Sequence, residues 1–387
     1  DLNLGLADDV LLRSGVYYDT TERTFRQSAY YLSGGLNSTG ASLEELVADV
    51  RKPLLTNQRD INTTPASADA GRKLGAAYLS FTLPILSKRS WARKLDLLLG
   101  ARFENYRFTA SGNGKYFNEG STDYYLSLLR NKLVTPAQYG TDNSNDRIFT
   151  RALDENTTHP SAALTWSPAD RLNLRLAYSR TVARPSFREL GPYFTNDDVT
   201  NEIQHGNVFL DTSRVDNLDF RVEYFFPRSR DLLALSLFTK KVRNPIEKSK
   251  IITVGVGTPV LGWFNNPADA EMQGAEIEAA KNLRFLGELG SKFTLGGNAT
   301  FIDAKVADTF LPSTERPLFD QPEWIANAYL SFDLSQSGFS STFSWFAISD
   351  VLRSVDPTSW NTYVASYERF DFTLSQRFGR HWQVRLS

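Results

Sequence analysis

The chain has 387 residues, a formal net charge of -1 and 13% aromatic residues, and it contains no cysteine. The missing cysteines exclude thiolate metal sites, disulfides and cysteine nucleophiles, and the near-neutral charge argues against nucleic acid as a partner, because a nucleic-acid-binding surface is basic. No run approaches the roughly 18 apolar residues of a transmembrane helix, and the mean hydropathy is -0.34.

Apolar and polar residues alternate over several segments, as they do in a β-strand with two unlike faces. In chain order, the alternation runs from Leu95 to Glu104, from Arg171 to Val182, from Asn217 to Phe226 and from Phe370 to Arg377. Together with turn chemistry, such segments predict about thirteen strands. Most are expected to have about ten residues, the length at which a tilted strand crosses the hydrocarbon layer.

Short and long connections alternate between these predicted strands. Turn-forming residues make short links at Pro168–Asp170, Pro227–Ser229, Ser335–Gly338 and Gly379–Arg380. The long links are predicted at 32–71, 109–158, 184–215, 244–271, 306–320 and 354–365. A soluble domain rarely has such long loops at every second connection. The pattern therefore predicts an all-β fold, an antiparallel transmembrane β-barrel with short periplasmic turns and long extracellular loops.

Both ends of the chain lie inside the alternating pattern. Leu2, Leu4 and Leu6 are predicted to end a strand, and Trp382 and Leu386 to belong to a new one. An open sheet edge in lipid would leave backbone groups unsatisfied. Residues 1–387 are therefore expected to form part of a larger barrel rather than a complete one.

Charged residues on the polar parity are predicted to face the barrel lumen, because a basic residue on the lipid face near the midplane costs about 2–4 kcal/mol. These residues are Arg102, Glu104, Arg175, Asp219, Arg221 and Glu223. Arg180 has the apolar parity but lies far from the short turn, so it is expected at head-group level. For Arg180 and Arg184 two interpretations stay open: contact with lipid phosphates, or snorkelling without a specific partner.

Aromatic residues beside the short turns are predicted to form a girdle at the lipid boundary: Trp91, Trp166, Phe226 and Trp382. The alternative is that they belong to the core of a soluble β-sandwich. A second group lies in predicted outer loops, where variation on a rigid barrel creates selectivity: Tyr193, Phe194, Trp263 and Phe264. We expect these residues to be exposed and able to stack on a ligand; the alternative is that packing within the loops alone accounts for them.

The sequence offers little for catalysis or metal binding. His159, His205 and His381 are widely separated, without a second ligand at helical or hairpin spacing. Asp142 and Asp146 lie in a stretch that lacks the glycine and the distal glutamate of a calcium loop. Nucleophile elbows, phosphate-binding glycine loops and zinc motifs are absent from the sequence. We therefore expect neither an enzyme nor a resident metal or cofactor.

Several segments resemble the barrel of TonB-dependent outer-membrane receptors, in the order expected for successive hairpins. They read LNLRLAYSRTVARPSFREL (172–190), DNLDFRVEYFF (216–226), LSLFTKKVRNPIE (235–247), NNPADAEMQGAEIE (265–278) and QPEWIANAYLSF (321–332). The resemblance spans residues 1–387 as one partial barrel domain. It implies a barrel of about 22 strands around an N-terminal plug, and neither that plug nor the last strands match this segment.

The resemblance implies energy-coupled uptake of a scarce ligand, such as an iron-siderophore, a vitamin or an oligosaccharide, across the bacterial outer membrane. The implied partners are outer-membrane lipid, the protein's own plug and, through the plug, the TonB–ExbB–ExbD energy-transducing complex. A small-molecule or glycan ligand and a surface lipoprotein complete this set. Two alternatives stay open: a passive porin-like channel, and a soluble β-sandwich module for carbohydrate binding or adhesion.

Overall fold

A computed structural model of the chain describes residues 2–7, 10–32, 61–89, 92–112, 128–130, 133–134, 149–192, 194–197, 202–227, 231–254, 258–310, 314–334, 336–356 and 361–387. Nearly all of this part is antiparallel β-structure. No helix among these residues is long and apolar enough to cross a membrane.

The strands, in chain order, are β1 (Leu2–Ala7), β2 (Val10–Leu32), β3 (Ile61–Arg89), β4 (Ala92–Gly112), β5 (Phe149–Ala169), β6 (Leu172–Ala183), β7 (Phe194–Asp197), β8 (Glu202–His205), β9 (Ser213–Phe225), β10 (Leu232–Arg243), β11 (Ile246–Val254), β12 (Thr258–Asn265), β13 (Ala270–Asn282), β14 (Phe293–Ala307), β15 (Glu315–Pro317), β16 (Trp324–Leu334), β17 (Phe339–Ile348), β18 (Val351–Ser354), β19 (Thr362–Val364), β20 (Tyr367–Phe378) and β21 (Trp382–Leu386). A short helix, α1 (Phe187–Leu190), a helical turn at 128–130 and two 3-10 turns (Arg284–Leu286 and Gly290–Lys292) complete the described elements.

One large sheet forms the wall. Fourteen strands follow the order β1-β2-β3-β4-β5-β6-β9-β10-β13-β14-β16-β17-β20-β21, and β15 pairs with the upper part of β14. Every neighbouring pair is antiparallel, so the wall is an up-and-down meander in which each hairpin packs beside the next. Among the described residues, β1 and β21 are the two edges of this open sheet.

Connections at one end of the wall are short, and those at the other end are long, as predicted. We call these the turn end and the loop end. At the turn end, Gly338 and Gly379 have positive φ values of 72° and 63°, which side-chain-bearing residues rarely adopt. These two glycines therefore permit the tight hairpins β16–β17 and β20–β21.

The long connections are more structured than the alternation predicts. β2 to β5 have 23, 29, 21 and 21 residues, so the expectation of strands of about ten residues is wrong there. Antiparallel pairing in these strands continues toward the loop end beyond the part that crosses the membrane. There, apolar and polar side chains need not alternate. In addition, β11, β12, β8 and β7 form a separate four-stranded sheet at the loop end.

The apolar face of the wall is exposed among the described residues. Leu176, Leu237 and Ile277 are 46%, 45% and 49% exposed. A soluble β-sandwich would bury this face under a second sheet. The sandwich alternative is therefore wrong, and the exposed band fits a surface in contact with lipid.

Candidate functional site

The wall separates side chains into two faces by register. Arg175, Arg221 and Ser236 lie directly opposite one another on β6, β9 and β10. One position away, Leu174, Val222 and Leu235 form an equivalent row on the opposite face. All six charged residues predicted to face the lumen lie on the first face, which we call the polar face.

Near the turn end, Glu223 organises one charge cluster on the polar face. Its carboxylate accepts contacts from Arg175 at 3.1 Å and from Arg221 at 2.8 Å, and the residue is only 7% exposed. Arg221 also donates to Glu278 at 2.7 Å and to Ser236 at 2.9 Å. Two carboxylates, two guanidinium groups and the Ser236 hydroxyl therefore form one network that joins β6, β9, β10 and β13.

A second cluster surrounds Glu104 on β4, near the loop end. Arg102 lies 2.6 Å and Arg184 2.8 Å from its carboxylate oxygens, and His159 lies 3.3 Å away. The Arg184 guanidinium also stacks over the Tyr106 ring at 4.4 Å. Arg184 thus folds onto the polar face, where Glu104 and Tyr106 hold it. Of the two interpretations left open for Arg184, neither contact with lipid phosphates nor snorkelling without a partner describes this arrangement.

Arg180 behaves differently from Arg184. It stays on the apolar face, where its Nε donates to Asp216 Oδ1 at 2.8 Å. The interpretation of a snorkelling arginine without a partner is therefore wrong. Asp219, by contrast, lies half-buried on the polar face and forms no salt bridge within the described ranges.

Loop-end elements pack against the upper part of the polar face. Phe108 is 1% exposed and packs with Leu190 and Leu210, and its ring centroid lies 5.4 Å from that of Phe187. Helix α1 is fixed by a capping box in which Ser186 and Glu189 exchange hydrogen bonds. The loop layer, defined by α1 and the sheet of β7, β8, β11 and β12, therefore has its own hydrophobic contact with the wall.

The loop aromatics do not have the exposure that the sequence led us to expect. Trp263 is 8% exposed and belongs to the cluster around Phe108, while Phe264 is 0% exposed and lies 5.9 Å from Phe310. The prediction of exposed stacking surfaces is wrong for these two residues. Successive side chains of β12 point to opposite faces, and each of the two packs against other residues of the loop end. Tyr193 and the side chain of Phe194 lie outside the described residues.

A buried ion pair fixes the loop layer to the next long connection. Arg316 on β15 donates to both oxygens of Glu247 on β11 at 2.7 Å, with exposures of 6% and 0%. Burial alone would lower the pKa of Arg316, but Glu247 and Asp308 outweigh it and hold the pKa above its usual value. No local sequence pattern predicts this pair, because the partners are 69 residues apart.

The described girdle residues lie on the apolar face at the turn end. Trp166 pairs with Leu174 across β5 and β6, Trp382 pairs with Phe378, and Phe226 packs edge-on against Tyr224 at 5.0 Å. Trp91 lies outside the described residues. Their place on this face is the arrangement that a lipid-boundary girdle requires.

Histidines show no arrangement for a metal. His159 contacts Glu104 and Thr157, and His205 is fully buried beside the Gly206 carbonyl oxygen. Within the described ranges, no three His, Asp or Glu residues are grouped so that they could hold a metal ion.

Comparison with known proteins agrees with this architecture. The family model for the β-barrel of TonB-dependent receptor-like proteins matches residues 1–387. No curated protein sequence matches the chain. Three solved structures share the fold: the siderophore receptor PiuA from Acinetobacter baumannii (TM-score 0.59, 12% identity, 99% of this chain and 49% of that one), the copper transporter OprC (0.60, 15%, 98% and 48%) and the ferric yersiniabactin uptake receptor FyuA from Yersinia pestis (0.56, 12%, 96% and 44%).

At these identities the structural likeness shows the fold, and the chain spans about half of the length of each of these structures. The family match covers every residue, and the wall has the family's antiparallel strands, short turns and long loops. The chain therefore belongs to the β-barrel family of TonB-dependent receptors.

Proposed function

We propose that the protein containing this chain is a bacterial outer-membrane receptor that takes up a scarce ligand with energy supplied through TonB. The observation that carries the proposal is the match of all 387 residues to the receptor barrel. The two unlike faces of the wall support it, because one is apolar and exposed and the other carries ion-paired charge.

The ligand class that fits best is a metal chelate or a metal ion carried inward. The similar solved structures include a siderophore receptor, a copper transporter and a ferric yersiniabactin uptake receptor. Vitamins and oligosaccharides remain in the candidate set, since the loop end that would select the ligand is the most variable part of such a fold.

In the proposed mechanism the wall is a rigid frame and the loop layer supplies outward ligand contacts. The layer is suited to this because hydrophobic packing at Phe108 and the buried pair of Arg316 and Glu247 hold it against the wall. A plug supplied by the rest of the protein would close the lumen. Pulling on the plug through the TonB–ExbB–ExbD complex would lower the affinity of the outward state, which is a coupling between two conformations.

The charge clusters would face that plug. Glu104 and Glu223 each contact two arginines, so these two carboxylates are ion-paired on the polar face. A surface lipoprotein that covers the loop end is a further proposed partner.

The test is uptake by the full-length gene in an outer-membrane uptake-deficient strain, measured with a panel of radiolabelled ferric siderophores, copper and cobalamin. We expect accumulation of one ligand class, loss of that accumulation in a TonB-deficient strain, and loss on collapse of the proton gradient. Accumulation that is unchanged without TonB would instead establish a passive channel and overturn the proposal. A variant of the full-length protein that lacks the proposed plug is the control for leakage.

A further inference from the structure

The connection between β13 and β14 at the turn end is longer and more ordered than a hairpin requires. It has ten residues (283–292), whereas the links β5–β6, β16–β17 and β20–β21 have two, four and three. Two 3-10 turns, Arg284–Leu286 and Gly290–Lys292, fill most of it. We call residues 283–292 the double-turn link. Because two residues are enough to close a hairpin, the extra length and its ordered form need an explanation.

Three large apolar side chains project from the double-turn link. Phe285, Leu286 and Leu289 are 68%, 65% and 70% exposed, which is more than Leu176 or Leu237 on the apolar face of the wall. Such a patch is unfavourable in water, because removing each side chain from water favours the covered state by roughly tenfold. A contiguous exposed apolar patch marks a surface that another molecule covers.

Hydrogen bonds within the double-turn link and to the end of β13 hold this patch in place. The Leu286 N–H donates to the Leu283 carbonyl oxygen at 2.9 Å. The side chain of Asn282 closes the base of the link, since it donates to the Ser291 carbonyl oxygen at 2.9 Å and accepts from the Arg284 N–H at 3.2 Å. Where water is scarce, backbone groups must find partners within the protein. The link meets this condition at both of its ends.

The double-turn link begins and ends at aromatic residues of the apolar face. Leu283 and Phe293 flank it and share a backbone hydrogen bond of 2.9 Å. The ring centroid of Phe293 lies 4.7 Å from that of Phe332, which in turn lies 6.2 Å from that of Phe339. A Cβ at Gly290 would collide with the Leu283 carbonyl oxygen, so the link folds back on the strand ends. The apolar patch is therefore continuous with the girdle at the turn end.

The reach of the double-turn link matches the thickness of a lipid head-group layer. A 3-10 helix rises about 2 Å per residue, so the turn Arg284–Leu286 extends no more than roughly 6 Å beyond the girdle. The head-group layer on each side of the hydrocarbon core is about 5–8 Å thick. The apolar patch therefore stays near the boundary between acyl chains and head groups, the depth at which interfacial segments bury their apolar side chains.

Basic side chains lie at both ends of the double-turn link. Arg284 and Lys292 bracket the apolar patch, and Glu288 is the only acid in the sequence 283–292. Beside the link, the Lys281 Nζ lies 4.6 Å from the centre of the Phe226 ring on the apolar face. Lys and Arg next to Phe and Leu are typical of segments at a membrane interface, where lipid phosphates attract basic residues. A phospholipid surface thus fits both the apolar and the charged groups of the link.

We propose that the double-turn link is an interfacial anchor in which Phe285, Leu286 and Leu289 insert into the periplasmic phospholipid leaflet. Arg284 and Lys292 then lie at the depth of the lipid phosphates. The anchor fixes the depth of the β13–β14 hairpin in the membrane. It depends on the fold and on the two faces of the wall, and it does not require the proposed uptake function.

The test uses the full-length protein in vesicles of phosphatidylethanolamine and phosphatidylglycerol, with a bimane label on Phe285→Cys or on Leu289→Cys. This chain contributes no competing cysteine. Gln336→Cys is the matched control, because Gln336 is also exposed at the turn end, in the β16–β17 link. Phospholipid brominated near the head-group end of its acyl chains should quench the labels on the double-turn link and leave the control label unquenched. Aqueous iodide should show the reverse order.

The two quenchers together separate the possible covers of the patch. Iodide quenching of all three labels, without quenching by the brominated lipid, would place the double-turn link in water and overturn the anchor. Labels on the link that resist both quenchers would show a protein cover, from the plug or from a periplasmic partner, and would overturn the lipid assignment.

A second variant tests whether the leucines drive insertion. Leu286→Ser/Leu289→Ser keeps the Cβ atoms and alters only exposed side chains, so the barrel should fold normally, as heat-modifiable gel mobility checks. Combined with the labelled Phe285→Cys, it should shift the equilibrium toward the aqueous state by roughly tenfold or more and so reduce quenching by the brominated lipid. Leu286→Met/Leu289→Met is the apolar control and should preserve the quenching. Quenching that persists unchanged in the serine variant would overturn the anchor, because the leucines would then contribute nothing to insertion.

Discussion

Arg175 and Arg221 lie directly opposite each other on β6 and β9, and Glu223 bridges them. Two opposed guanidinium groups would repel each other. The Glu223 carboxylate contacts both at 3.1 Å and 2.8 Å and is 7% exposed, so one residue converts a repulsion into a cross-strand link.

Replacing this carboxylate should destabilise the wall. We expect Glu223→Gln to lower the free energy of unfolding by about 1–3 kcal/mol, because the charged acceptor of two arginines is lost. Urea unfolding of the full-length protein in lipid vesicles, followed by tryptophan fluorescence, measures the change. Asp219→Asn is the control on the same strand and face, and it should change stability by less than about 0.5 kcal/mol. Equal effects of the two variants would show that the bridge contributes nothing specific.

The assignment of the two faces predicts opposite tolerance for a new charge. Ile277 on β13 is exposed on the apolar face, while Thr300 on β14 lies on the polar face opposite Glu276. Ile277→Arg should cost about 2–4 kcal/mol, the penalty for a basic residue near the midplane of a barrel in lipid. Thr300→Arg should be nearly neutral because water and Glu276 receive the charge. Heat-modifiable gel mobility after refolding into vesicles compares the two, and a reversed order of stability would exclude the face assignment.

Close packing on the polar face predicts a strict requirement at Gly274. A Cβ at this position would meet the Phe238 ring and would lie 2.5 Å from the Phe301 carbonyl oxygen, which belongs to the backbone and cannot rotate away. Gly274→Ala should therefore destabilise the barrel by about 1–3 kcal/mol.

Gly75 on β3 provides the comparison, because a Cβ there would have no atom within 4 Å. We expect Gly75→Ala to leave the unfolding midpoint unchanged or slightly raised, since alanine restricts the unfolded chain. A similar loss of stability in both alanine variants would mean that strand glycines matter through the backbone alone and not through the contact with Phe238.

The buried pair of Arg316 and Glu247 should control the order of the loop end. Arg316→Met leaves a fully buried carboxylate without its bidentate partner, which typically costs about 3–5 kcal/mol. We expect faster cleavage of the outer connections by an added protease in intact cells. Because the pKa of Arg316 is raised, the guanidinium stays charged throughout the pH range of the assay, and mild alkali should not imitate the substitution.

Adding Glu247→Gln to Arg316→Met should restore part of the protection, since an uncharged amide removes the uncompensated charge while Asn266 remains beside it at 2.8 Å. If the double variant is cleaved faster than Arg316→Met, the pair does not act through charge burial. Arg353→Met is the control, because it makes the same replacement at an exposed position. The contact of Arg353 with Asp320 is 3.6 Å long and exposed, so its loss should not speed cleavage.

Period-two alternation made the wall predictable. Because successive side chains of a strand point to opposite faces, the parity of Leu174 and Arg175 predicts their faces from the sequence alone, and the same holds for Phe220 and Arg221. Gly338 and Gly379 indicate hairpins for a reason that is also local. A tight turn needs a positive φ, which glycine adopts readily. The order of the strands followed, since an up-and-down meander pairs each hairpin with the next.

The loop end was less predictable, because its contacts join residues far apart in sequence. Trp263 and Phe264 are buried rather than exposed because the elements that cover them come from other connections, which no local pattern predicts. The direction of Arg184 could not be predicted, because strand β6 ends at Ala183 and parity no longer determines direction beyond a strand end. The length of strands such as β3 is greater than alternation predicts, because strands can pair outside the membrane without alternating apolar and polar residues.

The sequence by itself determined the fold class, the two faces of the wall and the positions of the short turns, because these depend on backbone geometry and on alternation within a strand. Only the tertiary structure decided which charges pair. The contacts of Glu223 with its two arginines, of Glu247 with Arg316 and of Asp216 with Arg180 all depend on register or on loop packing, which bring together side chains that no local pattern connects.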